Sequence, residues 1–487
     1  MIATLERPRF WFAAIVTLCV MTFTIGLTGP SDLEGYAQML NVGYVMDMMW
    51  QGHWLVQHNI ERVIMSKPPL HTWLIAPFAA LFGVNRLSMG MPSFLSVMGL
   101  GFLVFHIGRR HFGMLAGGYA ALAMVLATPM MDKQITLVRT DPLFTLTIAF
   151  AAYAAWRAWS EGRRWTPFWV AAALATLTKG PLGLLLAAGG LLAHFWEKRS
   201  DRSTEPPRGS HLTGIVLYLV ISLGWFIAAY LQAGDELVKK QFGEELIGQA
   251  VGAHKPPYSL RNTLTPTGFL LARFLPFSPF LFYALWRVFR HPDAAPAQRR
   301  FERFLTCWLL LGVVLFSAIR HQRPDHLLPL WPACALLIGR EMARLGERIG
   351  ALRFARMTAV GVLIVLVSIA FRTYREPEGD NKTSRYSVQV ERAAAALKTA
   401  GIDPQTLHHY DTPVTLQLYL KTCRRWETTE DLERLVNTAT TPVDIALGPS
   451  PVAALPFLAN HPKASRTFRW PEDEAAEAVI QVYRVTP

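Results

Sequence analysis

The sequence predicts a mainly α-helical polytopic membrane protein, with about eleven or more transmembrane helices, followed by a small α/β domain outside the membrane. Three observations carry that prediction. Of 487 residues, 52% are hydrophobic and only 17% charged, which is too apolar for a soluble globular chain. Near-continuous apolar runs recur from residue 10 to residue 371, each approaching the roughly 20 residues needed to cross ~30 Å of hydrocarbon. From Tyr374 onward the composition turns polar.

The runs lie at residues 10–29, 91–107, 114–130, 142–159, 167–178, 181–196, 212–232, 266–286, 304–319, 326–339 and 355–371. The first is preceded by Arg7 and Arg9 and followed by no convincing small-residue cleavage pattern, so it reads as a retained anchor with a cytoplasmic N-terminus. Cytoplasmic loops collect Lys and Arg. The basic connections are Arg109-Arg110, Arg157 with Arg163-Arg164, Lys198-Arg199 with Arg202 and Arg208, Arg287 with Arg290 and Arg299-Arg300, and Arg340 through Arg356. With these spans, all of them fall on the side of Arg7 and Arg9. The run Leu70–Phe82 would invert every later loop if it crossed, and its ~13 residues are short for a span. It reads instead as a re-entrant or surface-lying helix. The net charge of +13 is thus a topology signal and gives no reason to expect nucleic acid as a partner.

Residues 1–372 form the membrane domain and residues 373–487 an extracytoplasmic one. The second opens with the linker Arg375-Glu376-Pro377-Glu378-Gly379-Asp380. A helical pattern follows near Val388–Thr399, with β-rich runs at Thr406–Tyr410, Val443–Leu447 and Ala478–Val485. It carries no phosphate-cradling glycine loop and no catalytic constellation. Cys19, Cys307 and Cys334 lie in apolar spans and Cys423 stands alone, so neither a disulfide framework nor a zinc spacing is expected. Outer-face histidines (His53, His58, His71, His254, His321, His326) could meet around a metal only through the fold; interfacial, hydrogen-bonded histidine is the simpler expectation.

The residues with chemical promise lie on the outer face. Asp32 and Glu34 follow the first span directly, where lipid meets water, and acidic groups at that boundary point to a functional site. In Ser66-Lys67-Pro68-Pro69, two prolines without backbone donors hold Lys67 on a stiff turn. Arg139-Thr140-Asp141-Pro142 opens a span, with Asp141 near the positive helix end, where an N-cap role also accounts for it. Thr178-Lys179-Gly180-Pro181 presents a lysine at membrane depth, where an unpaired ammonium is expensive and a partner anion is the simplest remedy. Lys67, Arg139, Lys179, Lys255, Arg261, Arg273, Arg320 and Arg323 occupy the face normally depleted of cations. A lipid phosphate would explain them, as would snorkelling anchors for any one of them. Residues 233–265, with Glu244, Glu245, His254 and Lys255, form the longest loop of the membrane part, either a lid or an exposed connector.

Taken together, these motifs resemble the bacterial dolichyl-phosphate-mannose protein mannosyltransferase-like superfamily, including the lipid A aminoarabinose transferases. The resemblance runs over residues 10–340: the acidic first loop ending in Tyr36-Ala37, the Lys-Pro-Pro turn, Arg-Thr-Asp-Pro-Leu-Phe at 139–144, Thr-Lys-Gly-Pro at 178–181, Arg-Phe-Leu-Pro-Phe at 273–277 and His-Leu-Leu-Pro-Leu-Trp-Pro at 326–332. It implies a polytopic glycosyltransferase of the GT-C fold class. Such an enzyme moves a sugar from a polyprenyl-phosphate donor to an envelope acceptor (lipid A, another glycan or a protein hydroxyl) at the periplasmic face of the bacterial inner membrane. In that family the acidic residue four positions before the tyrosine is the base, here Asp32. A glutamate usually follows it; this chain has Leu33 and offers Glu34, so the role stays open between the two. Ser66 stands where the aminoarabinose transferases carry glutamate, and Glu244-Glu245 where they carry an acidic residue and histidine. Both departures weaken the case for that sugar and for a bound metal.

Such a reaction needs a carboxylate that takes a proton from the acceptor and cations that stabilise the leaving phosphate. Asp32 or Glu34 suits the first role, with Asp141 orienting the acceptor or a lysine. Lys67, Lys179, Arg273 and Arg323 suit the second. A single displacement inverts the sugar carbon and requires no cofactor; a divalent metal is compatible with it but not required. A lipid or sugar transporter or flippase is the reading from another class. It would show inverted repeats and midplane ionisable groups, neither of which is evident. A non-catalytic scaffold would not need the acid and lysine turns together.

Overall fold

The computed structural model describes residues 2–127, 134–202, 204–248, 260–319, 322–376, 381–449 and 455–487. They fall into two compact units, one of Met1–Gly26, Ser66–His71 and Gly90–Ala370, the other of Leu27–Met65, Thr72–Met89 and Phe371–Pro487.

The first unit is helical. Pro8–Thr28, Arg86–Phe112, Leu212–Ala233, Pro296–Ala318 and Ala351–Tyr374 are long and apolar enough to cross a membrane. By this measure five helices qualify among the described residues, fewer than the eleven runs in the sequence. Among the remaining runs, 142–159 forms the unbroken helix Asp141–Glu161, 167–178 the shorter helix Thr166–Lys179, and others are broken. Residues 266–286 divide into Leu260–Arg273 and Ser278–Arg290 around Pro276, which has no backbone donor to carry a helix through. Residues 181–196 become Leu182–Ala188, a tighter turn at Gly189–Leu192 and Ala193–Ser200. Gly190 lets this tighter turn sit against the Phe304 ring, which an added Cβ would meet at 2.4 Å.

Small residues set the packing of the bundle. A Cβ on Gly339 would lie 2.4 Å from the Ala116 carbonyl oxygen, so helices Trp331–Ile349 and Met114–Leu126 touch backbone to backbone. Toward the basic connections, Arg340 donates to Asp293 at 2.7 Å and pairs with Glu302, and Arg303 pairs with Glu197 at 3.0 Å. The Leu70–Phe82 run forms the helix its pattern predicts.

In the second unit, helix Tyr36–Met46 and the polar C-terminal region come together. The C-terminal sheet has order β1-β2-β4-β3, with β1 His408–Tyr410, β2 Val443–Leu447, β3 Ala464–Trp470 and β4 Ile480–Val485. β1 runs parallel to β2, while β4 is antiparallel to both β2 and β3. Three of the strands lie within or at the predicted runs. β3, whose successive residues Ser465, Arg466 and Thr467 are all exposed and so show no alternation, has no counterpart among them. Helix Lys382–Thr399 starts two turns before the predicted pattern because Asn381 caps it, accepting from the Ser384 N–H at 2.9 Å. Leu397, Leu407, Leu416, Ile480 and Val482 form the core on one sheet face. Leu432, Ile445, Leu447 and Leu458 form it on the other. Of the predicted linker, residues 377–380 lie outside the described part.

Candidate active site

The first unit holds a cavity of about 410 Å³ whose walls are mainly apolar: Phe144, Leu182, Phe226, Phe242, Leu315, Phe316 and Ile319. Two predicted cations face into it from different elements. Lys67 projects from the Ser66-Lys67-Pro68 turn, and Lys179 is the last residue of helix Thr166–Lys179. That helix stops there because Gly180 adopts φ +97°, a conformation L side chains resist.

Lys179 is held by a buried carboxylate. Asp141 opens helix Asp141–Glu161, with Pro142 pre-set for the first turn, and is only 4% exposed. Its two oxygens are divided between cations: Oδ1 accepts from Lys179 Nζ at 2.5 Å, and Oδ2 lies 3.2 Å from Arg139 Nε. Arg139 reaches on to Asp325 at 2.7 Å, which also accepts from Gln134 at 3.2 Å. Lys179, Asp141, Arg139 and Asp325 thus form one alternating chain of charges. The Lys179 ammonium also stands 5.9 Å from the centre of the Phe144 ring.

Lys67 is balanced differently. Its ammonium lies 3.5 Å from Glu245 Oε2, and about a third of the side chain (32%) is exposed. Burial lowers the Lys67 pKa and Glu245 opposes the shift. Glu245 arrives on the widened π-helical segment Lys239–Gly248, which also brings Gln241 and Phe242 to the cavity wall. Such segments are rare and concentrate at functional sites. The predicted 233–265 loop is therefore partly helical, and it contributes a wall. Glu244 turns to Lys240 at 2.6 Å, is 64% exposed and does not line the cavity.

Other predicted residues stand elsewhere. Arg323 is exposed and outside the cavity lining. Arg273 ends helix Leu260–Arg273, its side chain beyond what is described, and His254 and Lys255 lie outside the described residues. His326 lines the cavity. His71 is buried at 1% exposure, with neither ring nitrogen hydrogen-bonded among the described residues. Burial pushes its pKa down to about 4, against the field of Asp141, so the ring is neutral. No group of three or more His, Cys, Asp or Glu suited to a metal occurs among the described residues.

Asp32 and Glu34 belong to the second unit, in the turn before helix Tyr36–Met46. The Asp32 carboxylate is half-buried and has no hydrogen bond or ion pair among the described residues, while its backbone carbonyl accepts from Gly35 N at 3.0 Å and Gln38 Nε2 at 2.9 Å. Glu34 is engaged: Oε1 accepts from the Thr415 N–H at 2.8 Å and from the Thr415 hydroxyl. Burial raises its pKa and both Thr415 bonds oppose the rise.

Sequence reasoning missed Asp325 and undervalued Arg139 as a link. The available signal was Arg323-Pro324-Asp325 immediately before the His-Leu-Leu-Pro motif, an acid placed to meet the Arg139-Thr140-Asp141 turn.

Comparison with known proteins follows the motif resemblance. A family model described as dolichyl-phosphate-mannose-protein mannosyltransferase matches residues 66–227. An undecaprenyl phosphate-alpha-4-amino-4-deoxy-L-arabinose arabinosyl transferase of Pseudomonas aeruginosa is 26% identical over 371 residues, covering 72% of this chain and 63% of its own length. A Pseudomonas fluorescens enzyme of that name, numbered 1, is 26% identical over 337 residues, 66% of this chain and 56% of its own length. This chain therefore matches less than two thirds of these relatives' length. Among solved structures, ArnT from Cupriavidus metallidurans bound to undecaprenyl phosphate superposes with a TM-score of 0.71 at 19% identity, over 98% of both chains. The archaeal oligosaccharyltransferase AglB of Archaeoglobus fulgidus gives a TM-score of 0.52 at 11% identity, over 91% of this chain and 70% of that one. The fold is that of ArnT, in the GT-C class, and the chain resembles the aminoarabinose transferase-like glycosyltransferases as its motifs predict.

Proposed function

We propose that this protein is a multi-pass glycosyltransferase of the bacterial inner membrane that moves a sugar from a polyprenyl-phosphate donor to lipid A or another envelope glycan at the periplasmic face. One observation carries the reading: an apolar, aromatic-walled cavity into which Lys67 and Lys179 project. Ammonium groups within a greasy cavity suit a ligand that is hydrocarbon along most of its length and phosphate at one end. The relatives' names, which specify undecaprenyl-phosphate sugar, support it. The shorter apolar helices complete the crossings, the N-terminus is cytoplasmic and the C-terminal domain periplasmic.

In this mechanism the acceptor oxygen attacks the anomeric carbon as the bond from that carbon to the phosphate oxygen breaks, inverting the centre. Lys67 and Lys179 neutralise the charge growing on the departing phosphate, and Asp141 with Arg139 holds Lys179 in place. Asp32, the first-loop carboxylate without a partner among the described residues, takes the acceptor proton. No step requires a metal.

The test is transfer from a radiolabelled polyprenyl-phosphate sugar by purified protein, wild type against Asp32→Asn. Transfer abolished in a folded, donor-binding variant is the expected result. Unchanged transfer would remove Asp32 from the role of base, and no transfer by wild type across several donors would favour a transporter.

A further inference from the structure

The first-loop turn is gripped by the C-terminal domain at several points within the second unit. Ser31, 2% exposed, shares a 3.1 Å hydrogen bond with the Tyr419 hydroxyl. The Glu34 N–H donates to Ser387 Oγ at 3.0 Å, and that serine is itself fixed by donating to the Thr383 carbonyl at 2.9 Å. The Glu34 carboxylate accepts both the backbone N–H and the hydroxyl of Thr415. Thr415 stands in the first turn of helix Val414–Leu420, whose leading N–H groups lack intrahelical partners and whose preceding residue, Pro413, supplies no side-chain cap. Glu34 therefore caps a helix some 380 residues away in sequence (|i−j| = 381). Between these anchors Leu33 is buried at 1% exposure. Asp32 is the remaining side chain of the turn, fixed through its backbone with its carboxylate unpaired among the described residues.

We infer that the C-terminal domain is a clamp for the catalytic turn: Thr415 and Ser387 hold Glu34, and through it fix the direction of Asp32, so that Glu34 is a positioning residue and not the base. This role rests on the glycosyl-transfer reading above. It gives the extracytoplasmic domain a task in the reaction although it carries no catalytic constellation of its own. It also accounts for a side-chain oxygen acceptor of this length at position 34, since one such oxygen takes both donors of Thr415. A displacement of order 1 Å at a reacting group can lower turnover about a hundredfold.

The experiment compares Glu34→Gln, Glu34→Ala, Thr415→Val, Thr415→Ser and Ser387→Ala in the full-length protein, reading turnover and donor KM separately. Glutamine keeps an oxygen for Thr415 and serine keeps the hydroxyl. Both are expected within about threefold of wild-type turnover, with the acid limb of the pH profile unmoved. Glu34→Ala and Thr415→Val are expected to lose roughly ten- to hundredfold in turnover with donor KM unchanged, and Ser387→Ala a smaller part of that. Glu34→Gln as inactive as Glu34→Ala would overturn the inference by making the charge essential. So would wild-type turnover in Thr415→Val. If Thr415→Val does not fold, Thr415→Ser and the Glu34 pair decide the matter. Wild type that transfers no sugar at all would refute the functional reading instead, and this role with it.

Discussion

Replacing Lys179 with methionine separates the two things this lysine does. Methionine keeps an unbranched apolar stem beside Phe144 and removes only the ammonium. Two costs follow. Under the proposed function a charge-assisted hydrogen bond to the donor phosphate would be lost, about 1.5–3 kcal/mol, or roughly 10- to 150-fold weaker donor binding. Asp141, 4% exposed, loses one of its two cations but keeps Arg139 at 3.2 Å. The stability loss should therefore stay below the ~3–5 kcal/mol of a buried charge stripped of its partner. The expected outcome is a folded protein with a modestly lower melting midpoint and a large drop in affinity. Equilibrium binding of radiolabelled polyprenyl phosphate to protein in nanodiscs would measure it, at two salt concentrations because the lost term is electrostatic. Lys67→Met in parallel, with the double variant, gives the coupling between the two cations. Wild-type affinity in both single variants and in the double would refute the assignment of this cavity to the donor phosphate.

Two further predictions concern titration. Because burial already lowers the Lys67 pKa and Glu245 holds it up, Glu245→Gln should lower it further. The ammonium is then lost at a lower pH, so the alkaline fall in donor binding should move toward neutrality; a binding profile from pH 7 to 10 identical to wild type would exclude this. In the C-terminal domain, His409 is fully buried on β1, with Nδ1 3.2 Å from the Thr412 hydroxyl, and burial holds its pKa down to about 3. The ring is neutral when folded and charges when unfolded below about pH 6.5. Its contribution is therefore whole above that pH and falls toward pH 3, by up to about 1.4 kcal/mol per pH unit. His409→Gln should flatten the acid side of the melting-midpoint profile of the full-length protein, and an unaltered slope would count against the buried-histidine origin.

The parts of this molecule legible in the sequence are those that local pattern encodes. Pro142 after Asp141, Gly180 after Lys179 and the paired prolines after Lys67 each announce a boundary, and the structure puts all three residues at such boundaries. Apolar runs located the five long helices, although Pro296–Ala318 begins eight residues before its run because its first turns, with Arg299, Arg300, Glu302 and Arg303, are charged. The apolar pattern failed where packing decides: residues 266–286 have the composition of a span but break at Pro276, and β3 has three successive exposed residues and no apolar run to show it. Of the site, Lys179 was legible as a costly cation at membrane depth, Lys67 as a cation on a stiff turn and Asp141 as a carboxylate that could orient a lysine, but the pairing of Lys67 with Glu245 and of Arg139 with Asp325 was not. Asp325 lies 184 residues beyond Asp141, and only the fold brings both to Arg139. Glu34 and Thr415 are farther apart still, so the sequence, although it put Asp32 at the base position, left Glu34 open as the alternative.

The fate of the three candidate carboxylates follows from what each is already bonded to. A general base must have lone pairs available to an incoming hydroxyl and be charged before the proton arrives. Asp141 is charged, but Lys179 and Arg139 occupy both its oxygens, and transferring a proton to it would strand two cations in a buried setting. Glu34 spends one oxygen on two donors from Thr415 and carries a raised pKa. Asp32 alone combines partial exposure with a carboxylate that has no partner among the described residues. Under the proposed function the other two do related work at one remove: Asp141 would fix the direction of a phosphate-facing ammonium, and Glu34 the turn that carries the base. Exchanging charge for geometry should therefore affect them in opposite ways. At Asp32 the isosteric amide removes the function, whereas at Glu34 it preserves it, and that contrast in a single transfer assay discriminates the assignment from its reverse.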